Sequence, residues 1–318
     1  MERLSKENLR AIVVCANCKS DNIKVNDGNW QCTNCNSSYH QYKHKPVFLN
    51  KNNELFPPSA YIEKPNTKAS RRSSFYKIKQ LIPSRSINLS RDKYFKLLAS
   101  RVEEKETTIL VIGCGNQVSQ IQKTFLSTKT FFVFCDIDIN ADVDIFCDSH
   151  ELPFKDSTFD GVITTAVLEH VLYPEKVVSE IFRVLKPNAF VYSEIPFLQA
   201  VHEGAYDFTR YTLSGHRRLF EYFSEEASGM VAGPATSFLW SLDMLLKSMT
   251  SNKRLSSVLS ILVRLSFGWI KYLDKYLEAN SLALDAASCT YYLGKKSNSK
   301  RPAGSIIDAY SNSTFRHT

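Results

Sequence analysis

Four cysteines, Cys15, Cys18, Cys32 and Cys35, stand in the spacing C-x2-C-x13-C-x2-C. A two-residue gap lets both thiolates of a pair reach one metal ion at about 2.3 Å, and four sulfurs complete a tetrahedral site with no position left open for catalysis. The chemistry expected there is structural zinc binding. A second constellation begins at Gly113-Cys114-Gly115, directly behind the apolar run 109–112, and reaches Asp136, 21 residues after Gly115. Glycine at a strand-to-helix turn lets the backbone approach a ligand closely, and an acid at the end of the following strand binds ribose hydroxyls. These features suit NAD, FAD or S-adenosylmethionine alike. The last glycine of the dinucleotide fingerprint is replaced by Val118, which counts against a dinucleotide.

Alternating runs must position these residues. Residues 109–112 read as a buried strand, VSQIQKTFL as a helix, and FFVFCDID as a second strand ending at Asp136. A third strand, DVDIFCD, leads to Asp148 and then to Leu-Pro-Phe at 152–154. Phe159-Asp160 opens a fourth strand, GVITT, followed by Leu-Glu-His-Val at 168–171. The helix EKVVSEIFRVLKP and a fifth strand, FVYSEI, come next. Thr212 is the expected N-cap of a helix running to about Tyr222. Ser90 is the expected N-cap of an earlier helix that presents Tyr94, Leu97, Leu98 and Val102. Strands are further expected near 229–233 and at 289–296, with about 50 residues of helical pattern between them. Such alternation gives an α/β fold with a mostly parallel sheet, and Asp136 and Asp148 then end consecutive strands at the edge where ligands bind.

The block 109–195 resembles class I S-adenosylmethionine-dependent methyltransferases of the small-molecule, type 11 kind. Asp148-x3-Leu-Pro-Phe, Phe159-Asp-x-Val, Leu168-Glu-His-Val and Arg183-Val-Leu-Lys-Pro stand in the family's order and spacing. The resemblance implies a Rossmann-like, seven-stranded, mostly parallel sheet with helices on both faces. It also implies roles: Gly113 and Gly115 under the cofactor's amino-acid end, Asp136 on the ribose, Ile137 packed on the adenine, and Asp148 with Ser149 at the adenine amino group. The chain departs from the family's pattern at Val111, Gln117 and Asn188-Ala189. The string IPFLQAVHEGAYDFTRYTLSGHRRLFE resembles a subset of the family found among bacterial glycan and sugar biosynthesis enzymes. Methyl transfer needs alignment of the acceptor, exclusion of water and removal of a proton. His202 is the first candidate base and His170 the second, since neutral imidazole suits that step near pH 7. Arg210, with Tyr211 beside it, is the candidate contact to an anionic acceptor, or Arg210 pairs with Asp207 three residues earlier. Tyr39 and Lys45-Pro-Val-Phe-Leu follow the second cysteine pair, and residues 10–50 resemble the zinc ribbon of small activator subunits that partner tRNA and protein methyltransferases. That likeness implies a scaffold or partner surface. His40 and His44 are expected on the surface.

The expected organisation is a zinc ribbon at 10–50, a basic linker at 51–91, the catalytic domain at 92–296 with a helical insertion at about 236–285, and a disordered polar tail from 297 to 318. The chain has 318 residues, 43% hydrophobic and 23% charged, so it is expected to fold. Its formal charge is +8, and residues 60–105 hold 12 Lys and Arg against 4 Asp and Glu. The first residues lack a signal-peptide core, and no apolar run reaches a bilayer's span. The expected location is the cytoplasm, with the inner face of the membrane as the place to meet a lipid-linked acceptor. The remaining cysteines need no disulfide and fit a reducing compartment. The insertion reads as a cap, a peripheral membrane element or a dimer face. The acceptor expected is a small molecule or glycan intermediate, methylated on oxygen. The alternatives are RNA methylation, with ribbon and basic stretch gripping RNA, and a catalytically silent scaffold.

Overall fold

The computed structural model describes residues 3–26, 28–61, 82–115, 118–125 and 129–311. The Asp27 corner, Gln117, and the Pro65 and Arg71-Arg72 part of the basic stretch lie outside the described residues.

A short helix, Lys6–Ile12, is capped by Ser5 Oγ, which accepts the Asn8 N–H. Strands β1 (Ile23–Asn26) and β2 (Asn29–Cys32) form a hairpin between the two cysteine pairs, and β3 (Ser38–Tyr39) adds to it with Trp30 opposite Tyr39. Gly28 turns the hairpin at φ +85°, a conformation that costs glycine no steric strain. A second hairpin follows, β4 (Gln41–Tyr42) with β5 (Lys45–Phe48).

The central strands are β6 (Thr107–Ile112), β7 (Thr130–Asp136), β8 (Ile145–Cys147), β9 (Phe159–Thr165), β10 (Leu185–Pro196), β11 (Phe223–Ala232) and β12 (Cys289–Lys296). The first five run parallel to their neighbours and β12 pairs antiparallel with β10 and β11. These are the seven strands expected. The sheet is wider than that, because β5 runs parallel to β8 and brings β4 with it, giving the order β11-β12-β10-β9-β6-β7-β8-β5-β4. A three-residue edge strand would leave unpaired backbone groups in the open, and β5 covers them with Val47 opposite Phe146 and Phe48 opposite Cys147.

Alternation along β6 sends Leu110 and Ile112 to one core and Ile109 and Val111 to the other. Helix Pro174–Val184 closes the first core with Val177, Ile181 and Val184, and helix Arg91–Val102 closes the second with Phe95 and Leu98. The first core also contains Leu9, Val13, Ile23, Trp30, Tyr39 and Phe48, so the N-terminal segment is built into the sheet's packing. Val14 N–H donates to Pro153 O and Lys155 N–H to Ile12 O, which fastens the segment to the Leu-Pro-Phe corner.

Two local expectations are corrected. Ser90 makes no side-chain cap; Asn88 Oδ1 accepts the Arg91 N–H at 2.7 Å instead, two residues upstream. The tail is not disordered throughout, because Ala303–Ser311 is helical. Its anchor is Arg301, which pairs with Glu225 and whose N–H donates to Glu221 O. The insertion holds helices Pro234–Ser248 and Lys253–Phe267. The start of the first is capped from afar by the buried Asp274, which accepts the N–H groups of Gly233, Ala235 and Thr236. On the second, Leu255, Val258, Leu262 and Leu265 are exposed along one side. Among the described residues no helix is long and apolar enough to cross a membrane.

Beneath the sheet, His216 is wholly buried between Thr290 Oγ1 and Ser193 Oγ, both at 3.1 Å, and burial pushes its pKa down to about 3. A histidine held neutral in the fold but free to ionise at about 6.5 when unfolded binds more protons in the unfolded state between those values. Stability from this group is therefore complete above pH ~6.5 and lost as pH falls toward 3. From pH 6.5 to 4.5 the expected loss is ~2.5 kcal/mol. Urea unfolding at the two pH values tests this, and His216→Gln is expected to flatten the acid limb. An unchanged acid limb in that variant would assign the loss to other groups.

Candidate functional site

The order reverses at β6, which lies between β7 and β9, and the crevice at the carboxyl ends of these strands is where an open α/β sheet binds its ligand. Gly113 and Gly115 both have positive φ, +64° and +45°. They differ in what surrounds them. A Cβ on Gly113 would stand 2.2 Å from Val167 Cγ2, so that glycine serves packing. Among the described residues a Cβ on Gly115 would meet nothing within 4 Å, so that glycine leaves an open cradle at the crevice. Asp136 closes the cradle from β7: its Oδ2 accepts the Gly115 N–H at 2.9 Å and its Oδ1 accepts those of Ile137 and Asp138 at 2.7 and 2.9 Å. Burial raises its pKa against these three donors. A carboxylate has about four lone-pair sites, so one remains for an incoming hydroxyl.

Asp148 follows β8 and already has partners. Its Oδ1 meets His150 Nδ1 at 2.6 Å and the His150 N–H at 2.9 Å, and its Oδ2 accepts from Asn53 Nδ2 at 2.7 Å. Ser149 opens the short turn behind it. Asn53 belongs to a segment that crosses the crevice. Phe56 stacks on Tyr206 at 6.3 Å, while Tyr61 packs on Phe146 and donates its hydroxyl proton to Ile137 O. Residues 53–61 thus strap the edge from Ile137 and Asp148 to the loop after β10. The composition of 51–91 reads as linker, and nothing in it signals this strap.

Beyond β9 the turn 166–171 carries Glu169 and His170. Ala166 sits at φ +56°, with its N–H bonded to Glu194 O. Glu169 is fully buried, neither carboxyl oxygen has a hydrogen-bond partner among the described residues, and burial pushes its pKa up to about 8. His170 Nε2 lies 3.5 Å from Glu169 Oε1, and His170 Nδ1 faces Tyr206 O at 2.7 Å. Burial lowers the His170 pKa. His202, from the loop after β10, packs edge-on against His170 with ring centres 4.9 Å apart. The two histidines singled out from sequence therefore meet. Glu169 stands in the Leu-Glu-His-Val string with no role assigned from sequence, and its signal is a carboxyl between the apolar Leu168 and a candidate histidine.

Among the described residues neither Arg210 nor Tyr211 hydrogen-bonds these three side chains, although the Arg210 charge favours the ionised form of Glu169. Arg210 pairs with Asp207 through both ends of its fork and donates to the carbonyls of Gln199, Ala200 and Thr209. Of the two readings for Arg210, the pair with Asp207 is the one the structure shows, and it holds the loop that carries His202, whose N–H donates to Asp207 Oδ2. Tyr211 turns away into a cleft of about 540 Å³ beside Glu175, Phe182 and Arg218.

The four cysteines of the N-terminal segment converge. Cys15 and Cys35 sulfurs are 3.5 Å apart and those of Cys18 and Cys32 are 3.6 Å apart, close to the ~3.8 Å edge of a tetrahedron with 2.3 Å bonds. Tyr39 Oη lies 2.9 Å from Cys15 Sγ and accepts the Ala16 N–H at 2.8 Å, an outer contact of the kind that orients a metal ligand.

Residues 110–193 match the family described as Methyltransferase domain. No curated protein matches the chain. Similar solved structures include a sarcosine dimethylglycine methyltransferase from Galdieria sulphuraria, 12% identical, covering 70% of this chain and 97% of that one with a TM-score of 0.45. A phosphoethanolamine N-methyltransferase from Haemonchus contortus is 14% identical, covering 65% of this chain and 53% of that one at 0.42. A 1,6-didemethyltoxoflavin-N1-methyltransferase from Burkholderia thailandensis is 10% identical, covering 66% and 79% at 0.39. Residues 110–193 thus carry a methyltransferase domain on a Rossmann-like sheet, an enzyme domain of the kind that transfers methyl groups.

Proposed function

We propose that the chain is an S-adenosylmethionine-dependent O-methyltransferase for a hydroxyl of a small molecule or glycan-biosynthesis intermediate. The observation that carries this is the meeting of Glu169, His170 and His202 at the carboxyl edge of the sheet, across the crevice from the Gly115 cradle and Asp136. When bound, S-adenosylmethionine supplies an electrophilic methyl group on a sulfonium. The open cradle at Gly115 suits its amino-acid end and Asp136 its ribose. An alcohol is a poor nucleophile until its proton is drawn away, whereas a neutral amine already has a lone pair, so a cluster of two imidazoles and a carboxyl favours oxygen as the acceptor. The loop held by the Asp207–Arg210 pair positions His202 and covers the reacting groups.

In this reading residues 10–50 are a structural zinc ribbon of the activator-subunit kind, fused to the domain it supports, and 51–91 the linker to a catalytic domain at 92–296. The cysteine geometry fits zinc, and the pairing of β5 with β8 supports a ribbon built against the sheet rather than standing apart. The exposed apolar side of helix Lys253–Phe267, with Lys253 and Arg254 at its start, supports contact with a membrane that presents a lipid-linked acceptor.

The test is methyl transfer from labelled cofactor by the zinc-loaded protein. The acceptors are soluble sugars, the same sugars lipid-linked in anionic vesicles, primary amines and RNA. An O-methyl ether identified by mass and NMR, formed faster on vesicles, is the expected product. Label found only in amine or RNA acceptors would overturn the O-methyl assignment.

A further inference from the structure

We propose that Glu169, His170 and His202 form a binding site for a divalent first-row metal ion, through which the acceptor hydroxyl is activated. The inference deepens the O-methyl transfer reading and rests on it for the role, though not for the site.

Three features of the cluster point to a cation. First, one ligand atom from each residue lies within 4.8 Å of the others, so a single ion can reach all three. Second, both imidazoles have Nδ1 engaged by an acceptor. His170 Nδ1 faces Tyr206 O at 2.7 Å, and His202 Nδ1 faces Ala200 O at 3.2 Å with Asp207 Oδ2 at 3.5 Å. A carbonyl accepts only, so Nδ1 carries the proton in each ring and Nε2 keeps its lone pair. A ligating histidine characteristically donates its other N–H to a carbonyl or carboxylate in this way. Third, Glu169 is wholly buried with both carboxyl oxygens lacking a hydrogen-bond partner among the described residues, an arrangement that is costly unless something compensates it. His170 Nε2, 3.5 Å from Glu169 Oε1, is too far to be a good hydrogen bond and suitably spaced for a shared ion.

Two imidazoles and one carboxylate are a borderline-to-hard donor set that suits Mn, Fe or Zn as divalent ions and leaves positions open for substrate oxygens. An acceptor with a hydroxyl beside a second oxygen, such as a sugar diol, fills two of them. The step balances without a further reactant. The coordinated hydroxyl loses its proton to solvent, its oxygen forms the new bond to the methyl carbon, and the carbon–sulfur bond breaks with its electron pair left on sulfur. The site is built from the turn after β9 and the loop after β10 and shares no residue with the four cysteines, so it is a second metal position with a different role.

The experiment uses the full chain with its cysteine site loaded, one zinc per chain verified by atomic emission, and Mn²⁺ as the probe. Calorimetry and the loss of the free Mn²⁺ paramagnetic resonance signal are expected to show one additional ion per chain at micromolar to submillimolar affinity. Glu169→Gln and His202→Ala are each expected to weaken it at least tenfold, with the tightly held zinc unchanged. His202 stands on a loop, so its variant keeps the test open if the Glu169 variant misfolds. Absence of Mn²⁺ binding to folded wild-type protein, or affinity equal in both variants and wild type, would overturn the site. Mild chelation that leaves one zinc per chain is expected to cut turnover at least a hundredfold with cofactor binding intact, and Mn²⁺ to restore it. Methylation indifferent to divalent metal would overturn the metal's role while O-methyl transfer stands. Binding of Mn²⁺ without O-methylation of any diol supports the site and removes the O-methyl reading.

Discussion

Replacing Asp136 with alanine is expected to weaken S-adenosylmethionine binding by at least about a hundredfold. Two effects combine in the variant. The ribose hydroxyls lose a charged acceptor, and each such bond contributes about 1.5–3 kcal/mol. In addition the Gly115, Ile137 and Asp138 N–H groups lose the acceptor that holds the cradle against the end of β7. Asp136→Asn separates the two effects, because the amide keeps one acceptor oxygen for the loop but removes the charge. Its affinity should fall between wild type and alanine. Calorimetric titration of S-adenosylmethionine and S-adenosylhomocysteine into the three proteins makes the comparison. An alanine variant that binds like wild type would remove Asp136 from the cofactor site and leave it a purely structural residue of the turn.

Removal of the zinc proposed for the four cysteines, by strong chelation or by Cys18→Ser with Cys32→Ser, is expected to lower the stability of the whole chain. Structural zinc contributes about 10–16 kcal/mol in small zinc-dependent peptides at neutral pH. That is comparable to the entire stability of an ordinary domain, about 5–15 kcal/mol. The loss should not stay local. Leu9, Val13, Trp30, Tyr39 and Phe48 share one apolar core with Leu152, Phe154 and Phe159. The ladder β5–β8 would open with them. A single, lower melting transition and early deuterium exchange at Phe146 and Cys147 are the expected signs. Two separate transitions, with those amides still protected, would show instead that the ribbon melts alone.

The sheet was legible because its chemistry is local. A parallel strand buried on both faces is an apolar run such as Ile109–Ile112, and the acids that end β7 and β8 punctuate those runs in plain view. Helices were legible where one element supplies both stripe and cap, as with Thr212, whose Oγ1 accepts the Gly215 N–H. Caps supplied from a distance were not. Asp274 caps a helix that starts 40 residues before it, and Asn88 displaces the better-placed Ser90. The site shows the same division. His170 and His202 stand out as residue types, and the structure brings them together. Glu169 is conspicuous only once its burial and its missing partners are seen. The widening of the sheet by β4 and β5 depends on a bare edge at β8, and nothing in residues 41–48 names the strand they will join.

The strap at 53–61 has a consequence for how affinity should be measured. Its contacts fall on Ile137 and Asp148, the residues expected to receive an adenine. A segment that occupies a pocket from within the same chain acts as a tethered competitor at a fixed, high effective concentration. A cofactor that needed those residues freed would see its intrinsic dissociation constant divided by the fraction of molecules whose strap has lifted. Should cofactor entry require the strap to lift, the apparent affinity of the intact chain would report two equilibria, and the rate of entry at saturation would report how fast the strap lifts.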